Sequence, residues 1–408
     1  MIISLHLMTL LSLLFAFIIL YLTHSRKPKL LYHSVLRRSS ASTNNLSNSK
    51  SIILLHGLLG SARNFRSFSR IISEHLNNEY DIVMIDLNNH GRSHSISLTM
   101  SYPIMALDIL HTLESIGITN FHLIGHSMGG KTAAMMALLN TKLQQQQQQL
   151  HTKVDASGKQ ANAKNFTITS LQILDISPVS YEKEEFSSVY NTLDFIKSSQ
   201  SLIESASSRN EVLSIIDSGI SDPQLRAFLI TNIYEYKNKF SWKLGVNEIY
   251  NSKELIASFP ILSNEYIYTG PTLVLKGARS GFVRSKHLES LKNLFPNYII
   301  ATQKDAGNIY AYTQYSIVYC ICVYVYGVVY VTYRLLFISI CMNIYAYATK
   351  HISYYIHTFM FYYPTLTYTG HWLHADQPQE TAEKIAKFIR YADSTEAQAG
   401  MTEAAVKT

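Results

Sequence analysis

The run Gly125-His126-Ser127-Met128-Gly129 constrains this chain more than any other feature, because it stands between an apolar stretch, Phe121 to Gly125, and a helical one, Met128 to Leu143. A serine at the tip of a strand-to-helix turn adopts a strained backbone, and small residues two positions to either side let the chain pass. That placement lifts the hydroxyl clear of the sheet. Ser127 is therefore the candidate nucleophile, and the rest of the chain must supply a sheet, a general base and an oxyanion site around it.

The flanking pattern supplies the sheet. Ser51 to His56, Tyr80 to Asp86, Phe121 to Gly125 and Ile168 to Ile176 read as strands, and Arg63 to Leu76, Ser101 to Ile116 and Met128 to Leu143 as the helices between them. Strand and helix in alternation predict an α/β fold with a mostly parallel central sheet and helices on both faces. Residues 179–260 turn amphipathic and helical with no convincing strand, as expected for a helical cap. Strands return at Thr272 to Leu275 and Tyr298 to Thr302 around the helix Ser285 to Leu294, and a last helix runs from Pro378 to Tyr391, opened by Pro378 and Glu380. The core thus reads as 29–178 joined to 261–307 and 370–393. Residues 37–50 read as a Ser/Asn-rich linker, 141–167 as a low-complexity surface loop containing Gln144 to Gln149, and 394–408 as a loose tail.

Composition closes off several functions. A hydrophobic share of 47% is ample for a core, and the net charge of +7 is spread without a Lys/Arg run that would track phosphates, so no nucleic-acid partner is expected. The three cysteines, Cys320, Cys322 and Cys341, lie in one atypical segment, which leaves no disulfide framework and no Cys nucleophile elsewhere. No HExxH pattern or Cys/His cluster points to a metal, and neither metal nor cofactor is expected. Ile2 to Leu22 is apolar and free of Asp, Glu, Lys and Arg, about the ~20 residues a membrane helix needs. Arg26, Lys27 and Lys29 follow it, so residues 1–28 read as an anchor that keeps the remainder on the cytoplasmic side. A signal peptide or an organelle-targeting segment are the alternative readings.

A serine needs a base, and in the chain order nucleophile, acid, histidine that base stands between the last strand and the last helix. His371, freed by Gly370 before it, fits that place among the 16 histidines; His374 reads as a surface or packing residue. His56-Gly57-Leu58-Leu59-Gly60 follows the first central strand, which nominates the backbone N–H groups of Leu58 and Met128 as oxyanion donors and His56 as a turn residue. His90, His94, His122 and His126 have no comparable placement.

The runs Leu55 to Ser61, Asn88 to Ser93 with His90-Gly91-Arg92, Gly125 to Lys131, Asp175 to Val179 and Gly370 to Asp376 resemble the α/β-hydrolase domain-containing protein 11 group of esterases. Their order and spacing match over about residues 50–307 and 370–392. The resemblance implies an α/β-hydrolase fold, a serine hydrolase acting on esters such as acyl glycerols and small model esters, and, from the animal members, a mitochondrial location. Where most such folds place the acid, after the strand ending near Leu275, Lys276 to Gly281 offers no carboxylate. Asp175, at the end of the strand before the cap, is preferred because an acid there can reach the same histidine from the neighbouring side; its alternative reading is a turn residue ahead of Ser177-Pro178. Glu248 and Glu265 are lesser candidates, and Asp86 and Asp108 read as structural.

Residues 308–369 interrupt the pattern. From Asn308 to Gly370 there is no Asp or Glu, and 15 of the 28 tyrosines fall there. Removing that stretch joins Gly307 to His371 and restores the order the resemblance implies. Ser316 to Cys341 is apolar enough to read as a membrane span, but a span between the last strand and the base would pull the domain apart, so a translated intron is the favoured reading. The expectation is a serine hydrolase that cleaves carboxylic esters of small-molecule or lipid type through an acyl-enzyme, with membrane association through residues 2–22. The rivals are a C–C hydrolase or lyase on the same scaffold and a catalytically silent, membrane-tethered binding protein.

Overall fold

The computed structural model describes residues 27–39, 46, 50–94, 97–152, 165–237, 239–262, 265–303 and 371–394, with backbone alone for 147–152. The 2–22 run, most of the 37–50 linker, the 308–369 insertion and the tail from 395 lie outside the described residues. So do the three cysteines.

Seven strands form one sheet: β1 (His33–Leu36), β2 (Ser51–Leu55), β3 (Asp81–Ile85), β4 (Asn120–His126), β5 (Thr167–Leu174), β8 (Thr272–Gly277) and β9 (Tyr298–Gln303). Their order is β1-β3-β2-β4-β5-β8-β9, and only β1 runs antiparallel to its neighbour. β2 and β3 are buried at every position, which is why they read as unbroken apolar runs: a central parallel strand has core on both faces.

The two faces are sorted by alternation. Ile53, Leu55, Val83, Ile85 and Leu123 pack with the helices α2 (Tyr102–Ser115) and α3 (Met128–Thr152). Ile52, Leu54, Ile82, Met84 and Ile124 point the other way, onto Phe68 and Ile72 of α1 (Arg66–His75) and Ile385 and Ile389 of α11 (Pro378–Asp393). The α/β-hydrolase architecture expected from the sequence is therefore the one observed.

Between β5 and β8 the chain builds the cap from α4 (Ser187–Ser205), α5 (Arg209–Gly219), α6 (Pro223–Ile230), α7 (Val246–Asn251) and α8 (Lys253–Ala257). Two expectations change here. The cap is not all helical: β6 (Ile233–Tyr236) and β7 (Lys239–Trp242) form an antiparallel hairpin inside it. The glutamine run is not a loop, because α3 continues through Gln144 to Gln149 as far as Thr152, in keeping with the good helix propensity of Gln. α9 (Leu288–Leu294) and the short α10 (Leu373–Asp376) complete the core. Among the described residues no helix is long and apolar enough to cross a membrane.

Candidate active site

The turn at Ser127 is as tight as the pentapeptide implies. β4 ends at His126, Ser127 takes φ +52°, and α3 starts at once with Met128. A Cβ on Gly125 would come within 2.1 Å of the Gly129 carbonyl oxygen, and one on Gly129 within 2.4 Å of the Leu55 carbonyl oxygen. Only glycine fits both places.

The structure brings Ser127, His371 and Asp175 into one chain of hydrogen bonds. The Ser127 hydroxyl lies 2.9 Å from His371 Nε2, and His371 Nδ1 donates to Asp175 Oδ2 at 2.7 Å. Asp175 follows the end of β5 with φ +53°, so the left-handed turn that lifts Ser127 above β4 recurs on the adjacent strand. Its carboxylate is wholly buried, and the second oxygen accepts the Gly277 N–H at 2.8 Å. Glu248 and Glu265 are not part of this chain; Glu265 pairs with Lys142 instead. Asp86 accepts the Ala62 and Arg92 N–H groups, and Asp108 accepts the Lys29 N–H.

His371 is held from three sides. His126 Nε2 donates to its carbonyl at 2.7 Å, the tilted Phe282 ring packs against the imidazole at 4.4 Å between centroids, and Asp175 fixes the ring. The sequence reading passed over His126, whose signal was its position beside Ser127, and Phe282, which carries no signal at all. His374 is a packing residue: it lies against Phe65 and His126, and burial, then the neighbouring His371, push it down to about 3.

Two buried histidines shape the loop after β2. His56 Nδ1 donates to the Gly57 carbonyl while its Nε2 accepts the Leu87 N–H at 2.9 Å. His90 Nδ1 donates to the Asn88 carbonyl while its Nε2 accepts the Leu59 N–H at 3.0 Å. A backbone N–H facing Nε2 requires the neutral ring, and burial pushes His56 down to about 4 and His90 to about 3. Leu59 spends its N–H on His90, and the Asn232 amide from the cap takes its carbonyl at 2.7 Å. Leu58 is left at the wall of the cavity into which Ser127 opens, with Met128 beside it.

That cavity measures about 340 Å³ and is lined mainly by apolar side chains, among them Leu58, Phe186, Val189, Leu225, Phe228 and Trp372. Lys131, one turn beyond Ser127, also reaches its wall but is 1% exposed, and its ammonium donates to the Ala257 and Ser258 carbonyls at the end of α8. Burial pushes that ammonium well below its usual value. It ties cap to core. Among the described residues no group of three or more His, Cys, Asp or Glu is arranged to hold a metal ion.

The comparisons with known proteins agree with this fold. The α/β hydrolase fold family matches residues 50–148. The mouse protein "sn-1-specific diacylglycerol lipase ABHD11" is 28% identical over 63% of this chain and 74% of its own length. The Escherichia coli protein "Esterase YbfF" is 27% identical over 62% of this chain and 83% of its own. Among solved structures, a marine microorganism esterase superposes with a TM-score of 0.59 at 22% identity, over 88% of this chain and 99% of that one, which speaks to fold alone. The chain is thus an α/β-hydrolase by fold, similar in sequence to the ABHD11 proteins and to bacterial esterases.

Proposed function

We propose that the protein is a carboxylic ester hydrolase working through a Ser127 acyl-enzyme. The observation that carries this is the Ser127–His371–Asp175 chain, at 2.9 and 2.7 Å, opening into an apolar cavity. Ser127 Oγ attacks the ester carbonyl as His371 Nε2 takes its proton, and Asp175 stabilises the imidazolium that results. The Leu58 and Met128 N–H groups receive the oxyanion, Met128 from the first turn of α3, where the amide has no partner within the helix. The protonated His371 hands its proton to the departing alcohol. Water, deprotonated by the same ring, then releases the acid.

An apolar cavity of this size suits the acyl chain of a lipid-like ester, and the names of the relatives point the same way. The reading also carries the sequence-based expectations of a membrane tether at residues 2–22 and, by resemblance, a mitochondrial address.

Labelling with a fluorophosphonate tests it, because the probe phosphonylates an activated serine. The expected result is modification of Ser127, absent from Ser127→Ala, alongside turnover across a panel of acyl-ester chain lengths that the variant loses. Folded protein that neither labels nor turns over any ester would favour a silent binding protein.

A further inference from the structure

A second concavity, of about 1110 Å³, lies on the far side of the loop that follows β2, between β1, the start of α1 and the cap hairpin. Its lining carries Arg63, Arg66, Arg70, Arg92 and Lys243. Arg63, Arg66 and Arg70 are exposed and spaced three and four residues apart, so they share one helical face. Among the described residues none of these five cations forms an ion pair: Arg92 stacks over the Tyr32 ring at 4.0 Å, and Lys243 donates to the Thr231 carbonyl at 3.2 Å. Arg209, outside the lining, pairs with Glu235 at 3.3 Å.

Among the described residues the one carboxylate in the lining, Asp86, is 2% exposed and spends its oxygens on the Ala62 and Arg92 N–H groups. Burial raises its proton affinity. Burial, and then the positive charges of Arg63 and Arg209, push the Lys243 ammonium below its usual value.

We propose that this groove binds a ligand carrying at least two phosphate charges, with the guanidinium groups of Arg63, Arg66 and Arg70 holding phosphate oxygens. Planar guanidinium forks match phosphate geometry, and several together favour a multiply charged anion over a single carboxylate. A nucleoside diphosphate in solution and the phosphorylated headgroup of a lipid offer the same chemistry. The site stands apart from the ester chemistry, although Thr231 lines both concavities and Ser61 to Arg63 continue directly from the oxyanion loop.

Titration calorimetry on the full chain tests this with pyrophosphate and with a nucleoside diphosphate. Flotation with phosphatidylcholine vesicles, with and without a phosphoinositide, forms the lipid arm. The expected result is saturable binding in at least one arm, at least about tenfold weaker in Arg63→Glu/Arg70→Glu and unchanged in the charge-matched Lys183→Glu/Lys292→Glu. Binding of the free diphosphates identifies a soluble ligand; binding to phosphoinositide vesicles alone identifies a headgroup. Thermal unfolding checks both variants, and Arg63→Gln/Arg70→Gln replaces the reversal if that one fails to fold. No saturable binding in any arm, or the same loss in the charge-matched control, overturns the proposal.

Discussion

Ser127 and Asp175 both hold left-handed backbone without being glycine, at φ +52° and +53°. Such a conformation costs an L-residue about 1–2 kcal/mol, and here it recurs at the ends of two adjacent parallel strands that share one histidine. Asp175→Asn would keep the shape and could still accept the Gly277 N–H, but its amide would face His371 Nδ1 as a donor. The ring would then carry its proton on Nε2, where it could no longer accept from Ser127. The expected outcome is a kcat on a short-chain ester lower by roughly 10³–10⁴-fold with little change in KM; a variant within tenfold of the parent would return the acid role to another carboxylate. The buried histidines set the response to acid. His56, pushed down to about 4, and His90 and His374, pushed down to about 3, stay neutral when folded but take up protons near pH 6.5 when unfolded. The unfolded state therefore binds more protons between about pH 6.5 and these values, so stability rises with pH across that window and is lost as pH falls. Urea unfolding between pH 7.5 and 4.5 should show a steep decline below 6.5, and a flat profile down to 5 would refute the neutral assignment of these rings.

The elements that hold the sheet's lower edge depend on one carboxylate in the last turn of α11. Asp393 accepts from Tyr80, lies 3.2 Å from His122 Nε2 and 3.4 Å from the Lys50 ammonium, and His122 Nδ1 in turn meets Ser170 Oγ at 2.8 Å. Although burial opposes its charge, the hydrogen bonds from His122 and Tyr80 and the nearby positive charges hold the carboxyl well below the usual range. A depressed carboxylate contributes stability above its unfolded value of about 3.9 and loses it as pH falls through the folded one. Asp393→Ala should therefore cost about 2 kcal/mol near neutral pH and progressively less below pH ~4; equal unfolding midpoints in urea at pH 7 would show that α11 is held by its apolar face alone. The strands and helices around this cluster were legible because fully buried parallel strands are continuous apolar runs and α11 opens on Pro378. The β6–β7 hairpin was not. Its strands are four residues each, and Glu235, Tyr236, Lys237 and Lys239 at its tip are exposed, so neither length nor alternation marked it. The helix through the glutamines was missed for the opposite reason, since a low-complexity run carries no amphipathic period even where its propensity sustains a helix.

At the scale of the whole molecule the two kinds of site differ in what a linear reading could find. Ser127 was nominated from its strand-to-helix turn and His371 from the chain order, while Asp175 was preferred at the strand end before the cap because the usual place for the acid offers no carboxylate. The basic groove takes Arg63, Arg66 and Arg70 from one helical face, but only tertiary packing sets Arg92 and Lys243 beside them. The same packing bears on the foreign stretch from Asn308 to Gly370. On its two sides the described chain is already joined: Gln303, wholly buried at the end of β9, pairs with Gln377, and the Lys384 ammonium donates to its side chain at 2.7 Å. Without the stretch, Lys304 to Gly307 would connect Gln303 to His371, a link able to span at most about 17 Å. Gln303 lies beside Gly277 across the β8–β9 pairing, the Gly277 N–H donates to Asp175, and Asp175 accepts from His371, so a short series of contacts relates the two ends of that link. Deletion of Asn308–Gly370 should accordingly leave fluorophosphonate labelling of Ser127 in place and the unfolding midpoint no lower than that of the full chain. A deletion variant that is folded but unlabelled, beside a full chain that labels, would mean that the stretch is needed to seat His371, and the reading of it as a translated intron would fall.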